Sequence, residues 1–79
     1  MYDNEQIRSA VAANIAKLRV SKGLTQLQLA EILSYSDKAV SKWERGESVP
    51  DIYVLKQIAD LFEVTVDYLI TLDHSSVKH

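Results

Sequence analysis

SYSDKAVSKWERG, running from Ser34 to Gly46, has too few apolar side chains for a buried helix and is too short for an independent one. After Tyr35 near its start, the large apolar residues are Val40 and Trp43, three positions apart and therefore on one side. Asp37, Lys38, Ser41 and Lys42 point elsewhere. A helix of about ten residues is marginal alone in water, because nucleation costs more than so few hydrogen bonds return. The stretch must be held from behind by the rest of the chain, which leaves its polar face to meet something polar in front.

Outward from this stretch, Ile7, Val11, Ile15 and Leu18 recur at helical spacing, as do Leu29, Ile32 and Leu33, and again Leu55, Ile58, Ala59 and Phe62. No segment alternates convincingly with period two, so the expected fold is all-α. Asp3, Thr25, Ser36, Asp51 and Thr65 each precede a helical run as N-caps, where a side-chain oxygen accepts from an orphan amide. Large apolar residues five apart bracket four of these caps: Tyr2 with Ile7, Leu24 with Leu29, Tyr35 with Val40, and Val64 with Leu69. Thr25 and Gln28 complete a capping box, and Asp3 with Gln6 resembles one. Gly23 and Gly46 follow the first and third helical stretches, where a left-handed stop suits a residue without Cβ; Pro50 lies just beyond the second of these stops. The expected helices span about 4–22, 26–33, 37–45, 52–62 and 66–71.

The totals bound what these helices can build. Seventy-nine residues, 47% of them hydrophobic, suffice for one domain with a small core and leave no room for a second. The expected domain covers 1–72, and DHSSVKH over 73–79 reads as a polar, frayed tail. Without cysteine, neither a disulfide framework nor a thiolate zinc site is available. VTVDYLITL is far short of the roughly 18 apolar residues a membrane span needs, and MYDNEQIRSA lacks the order of a secretory signal. The expected compartment is the cytoplasm. Net charge is −2, which argues at first against a nucleic-acid partner, yet the charge is unevenly placed. Residues 17–47 hold six Lys and Arg against four acids, whereas 48–79 hold two against five. An anionic ligand should meet the middle of the chain.

Between Leu33 and Ser36 lie only Ser34 and Tyr35, too few for the flanking helices to run antiparallel side by side. They must cross steeply as a helix-turn-helix, with the second helix projecting from the body and its inner side packed on helices two and four. At these separations TQLQLAEILSYSDKAVSKWERGESVPD, followed by VLKQIADLFEVTVDYLI, resembles the lambda-repressor-like (Cro and phage-repressor, XRE) helix-turn-helix family. The resemblance runs from about Ile15 to Ile70. It implies five helices, with the helix-turn-helix at helices two and three, binding operator DNA as a dimer. Ser34 stands where the family commonly has glycine, so strain or a shifted path is expected in the turn.

The resemblance puts the base-reading positions at Ser36, Asp37, Lys38, Ser41 and Lys42, on a helix shaped for the major groove. Lys38 and Lys42, one turn apart, can donate to guanine O6 and N7 or to phosphate, although both would also solubilise an exposed face. Asp37 can accept from a cytosine amino group, and the helix dipole explains it as well. Ser36 is a cap first. Gln26 at the start of helix two and Arg45 at the end of helix three are candidates for phosphate contact, with Lys22 and Tyr35 as weaker ones; Gln26 is also simply a good helix former, and Arg45 a surface charge. Trp43 reads as core, three residues from Val40. Arg19 lies beside the buried stripe of Ile15 and Leu18, where a charge is seldom left unpaired. The family pattern pairs it with the acid of WERG, implying an Arg19–Glu44 bridge.

Val66, Tyr68, Leu69, Ile70 and Leu72 offer more apolar surface than a short last helix needs to bury, which points to a two-fold contact; Leu69 and Ile70 would serve equally to close the core. The expected activity is that of a transcriptional regulator, a repressor dimer on a near-palindromic operator. The alternatives are an antitoxin-like or adaptor protein that holds another protein, or the DNA-binding head of a longer sensor. An enzyme is not expected. SSVK, Ser75 to Lys78, fits an S-x-x-K pattern by coincidence, and His74 and His79 make no credible metal site. No Gly-rich phosphate loop is present, and no cofactor, membrane or small-molecule ligand is indicated.

Overall fold

A computed structural model describes residues 4–72, within which the helices are α1 (Asn4–Ser21), α2 (Gln26–Leu33), α3 (Asp37–Glu44), α4 (Ile52–Phe62) and α5 (Val66–Ile70), with no strand among the described residues. Each starts at or beside the residue expected, and α1, α3 and α5 stop one residue early. Thr25, Ser36, Asp51 and Thr65 each accept from the amide three residues on, and Thr25 with Gln28 closes a capping box in both directions. The cap at Asp3, the box with Gln6, the Tyr2–Ile7 pair, SSVK and both histidines lie outside the described residues.

Helices α1 to α4 end alike. At Gly23, Ser34, Gly46 and Glu63 the backbone turns left-handed, with φ of 71°, 61°, 76° and 59°. The next amide then reaches back five residues: Leu24 to Arg19 O, Tyr35 to Ala30 O, Glu47 to Lys42 O and Val64 to Ala59 O, all within 2.8–3.1 Å. Three of these stops run straight into the next helix through an apolar residue and a hydroxyl cap, as Gly23-Leu24-Thr25, Ser34-Tyr35-Ser36 and Glu63-Val64-Thr65. Ser34 adopts the left-handed conformation that favours glycine, so the strain expected of this turn is located at its φ.

Val11 and Ile15 of α1, Leu29, Ala30 and Leu33 of α2, Val40 and Trp43 of α3, Val54, Leu55, Ile58, Ala59 and Phe62 of α4, and Leu69 of α5 form a single apolar cluster. α3 lies against α2 and α1, while α4 approaches α5 and α2. The expected seat of α3 on α2 is found, but its second support is α1 more than α4, because α1 is long enough to reach α3 as well as α5. α5 is held by a residue that the apolar pattern does not mark. Asn14, buried in α1, donates its side-chain amide to Tyr68 O, Leu69 O and Thr71 O at 3.1, 2.9 and 3.0 Å. Those carbonyls lie at the end of a helix of five residues, where few amides remain to serve them; Tyr68 O accepts from Thr71 N–H as well, at 3.3 Å.

Ser34→Gly should stabilise the fold by about 0.5–1 kcal/mol, since glycine occupies this conformation without a Cβ penalty. Urea unfolding followed by far-UV circular dichroism measures it, and an unchanged or lower midpoint would contradict the strain assigned to this corner.

Candidate nucleic-acid interface

α3 divides into two faces. Val40 and Trp43 are 0% and 4% exposed, and burying side chains of this size is worth roughly 1.5–3 kcal/mol each. Tyr35, half exposed in the turn, sets its ring against Trp43 with centroids 5.5 Å apart and planes tilted by 55°. On the other side Ser36, Asp37, Lys38 and Lys42 are exposed, and Ser41 is partly so. Ser36 Oγ is already used as the cap, accepting from Ala39 N–H at 3.2 Å. Asp37 sits in the first turn, where the helix dipole favours an acid.

A polar node fixes the end of α3. Glu44 Oε2 accepts from Arg19 Nε at 2.6 Å, and Glu44 Oε1 accepts from Arg19 Nη2 at 3.1 Å and Gln26 Nε2 at 2.9 Å. Arg19 Nη1 donates in addition to Leu24 O, in the corner between α1 and α2, at 2.7 Å. The Arg19 and Glu44 side chains are only 16% and 8% exposed, so the fork of N–H donors is largely shielded from water. The Glu44 hydrogen bond raises the Arg19 pKa, against the opposing effect of burial. Gln26 thus spends one amide hydrogen on Glu44.

Arg45, exposed just past α3, is also engaged. Its Nε and Nη2 donate to Glu47 Oε2 and Oε1 at 2.8 and 3.2 Å, and its Nη1 donates to Ser41 Oγ. Lys22 is exposed in the corner after α1. Of the five residues nominated for a two-fold contact, Leu69 is a correction: at 0% exposure it is core and offers no surface to a second copy. Val66 and Ile70 are partly buried against the same cluster, Tyr68 is partly exposed, and Leu72 is exposed. No group of acids or histidines able to hold a metal occurs among the described residues, and no described helix is long and apolar enough to cross a membrane.

Residues 15–69 match the helix-turn-helix family HTH_3. The chain is 47% identical over 57 residues to the HTH-type transcriptional activator BcrR of Enterococcus faecalis, a match covering 72% of this chain and 28% of that protein. It spans between 28% and 56% of the length of the first three curated relatives it matches. An HTH_3 family transcriptional regulator from Vibrio cholerae superposes with a TM-score of 0.74 at 30% identity, over 85% of this chain and 38% of that one. A hypothetical transcription factor, NHTF, from Neisseria gives 0.80 over 99% and 90%; at 24% identity that likeness speaks for the fold alone.

Glu44→Ala should lower stability by about 2–4 kcal/mol, because it strands the Arg19 guanidinium and the Gln26 amide together. Arg19→Ala in that background should then cost much less than it does alone. Chemical denaturation of the two single variants and the double variant gives the coupling, and strict additivity would remove Glu44 from its role as a shared acceptor.

Proposed function

The chain belongs to the lambda-repressor-like helix-turn-helix family of transcriptional regulators, which are not enzymes, and on that premise we propose that it reads duplex DNA in sequence-specific fashion with α3 in the major groove. What supports this reading is the division of α3, with Val40 and Trp43 sealed into the core and Asp37, Lys38 and Lys42 exposed opposite them. Lys38 and Lys42 donate to guanine O6 and N7 or to the nearest phosphates, and Asp37 accepts from a cytosine amino group. Ser36 and Ser41 offer hydroxyls at the same edge. Gln26 and Arg45 grip the backbone on either side, with Lys22 and Tyr35 at the periphery.

The protein acts as a dimer in the cytoplasm. Val66, Tyr68, Ile70 and Leu72 supply the two-fold contact without Leu69, placing two copies of α3 about 34 Å apart, one turn of DNA, on a near-palindromic operator. Repression is the simplest outcome, because a seated helix blocks polymerase by occupancy alone. The activator name of the Enterococcus relative favours a second reading, in which the same docking at a site upstream of a promoter recruits polymerase.

Selection from a random duplex pool should return a motif with two-fold symmetry, and binding to it should fall with salt at a log–log slope near roughly −5 for about six phosphates per dimer. Lys38→Ala with Lys42→Ala should weaken that binding by at least about 1–3 kcal/mol while leaving the circular dichroism spectrum unchanged. A protein whose partner is another protein would retain no duplex at all. Unfolding of the double variant would mean that the face is not an outward one.

A further inference from the structure

The outward surface carries an acid close to the cations proposed to meet DNA. Gly46 turns left-handed after α3, and Glu47 N–H closes on Lys42 O at 3.0 Å, so Glu47 is folded back beside the helix the chain has just left. Its carboxylate takes the Arg45 guanidinium in a two-point fork, and the third nitrogen of that guanidinium holds Ser41. We propose that Glu47 is a built-in substitute for a DNA phosphate, occupying the Arg45 fork in the free protein and yielding it to a backbone phosphate when α3 is seated.

The proposal rests on the DNA-binding reading above. Carboxylate and phosphate engage a guanidinium through the same parallel N–H donors, so only one of them can hold the fork at a time. Both partners of the pair are a little over half exposed, and such a pair is weak enough to exchange. Hydrogen bonding to Arg45 holds the Glu47 carboxyl below its ordinary pKa, and the charges of Arg45 and then Lys42 add to this, so the acid is ionised and senses two of the three nearby cations. In a loose encounter with arbitrary DNA, Asp37 and Glu47 offset most of the charge of Lys38, Lys42 and Arg45. Close docking on the correct site brings a phosphate near enough to displace Glu47. Glu47 is thus a positioning residue that acts through Arg45 and suppresses non-specific binding more than specific binding.

The test compares wild type, Glu47→Gln, Arg45→Gln and the double variant on a random-sequence duplex and on the selected operator, between about 50 and 200 mM KCl. Glu47→Gln should bind the random duplex roughly three- to tenfold tighter at the low end, with a slope steeper by about 1 per protomer and a reduced preference for operator. In the Arg45→Gln background the same change should leave the slope where it was. An unaltered slope in Glu47→Gln, or an equal steepening without Arg45, overturns the exchange. Failure of every variant, wild type included, to hold duplex at low salt overturns the DNA-binding reading itself, and the exchange with it. An unchanged thermal midpoint for Glu47→Gln excludes a folding effect.

Discussion

Glu44 sits at the C-terminal end of α3, where the helix dipole disfavours an acid. Arg19 from α1 and Gln26 from α2 reverse that penalty, and through the single carboxylate three helices share one fixed point. Val40 and Trp43 hold the inner side of α3 by burial, which is strong but non-directional. Hydrogen bonds supply what burial lacks, a defined rotation and height for the helix. Arg19 extends the constraint to Leu24 O, so the corner between α1 and α2 is set by the same guanidinium. The tie at its far end helps a projecting helix of eight residues to present its polar face in a constant orientation.

Wherever local chemistry dictates the outcome, the structure is legible in the residues. Thr25, Ser36, Asp51 and Thr65 mark their helix starts because the capping oxygen and the amide it serves are three residues apart. Gly23 and Gly46 mark two of the stops for a similar reason. Glu63 stops α4 with the same left-handed turn and gives no such sign, since an acid is an unusual occupant of that conformation. Asn14 is likewise silent: its acceptors lie 54 to 57 positions away, and in the helical pattern it is merely a polar residue in α1.

The outward surface follows the same division. Which side of α3 is polar can be read from the spacing of Val40 and Trp43 alone. The state of each polar group cannot. Arg45, Ser41 and Gln26 look like free donors and acceptors in the sequence, yet in the folded chain each already has an internal partner. Those partners depend on Gly46 reversing the chain and on α2 meeting the end of α3, which are features of the assembled fold.

The four helix ends also decide where the chain can change length. In three of them one apolar residue closes the outgoing helix through its amide and stands next to the cap that opens the following one, so Leu24, Tyr35 and Val64 each belong to two helices at once. An inserted residue at any of these joints would rotate everything downstream and separate stop from start. The passage from Gly46 to Asp51 has no such double duty, because four residues lie between the left-handed turn and the next cap. A change of length between Glu47 and Asp51 leaves those three joints intact, so it would alter the border of the outward surface and not the angles inside the frame.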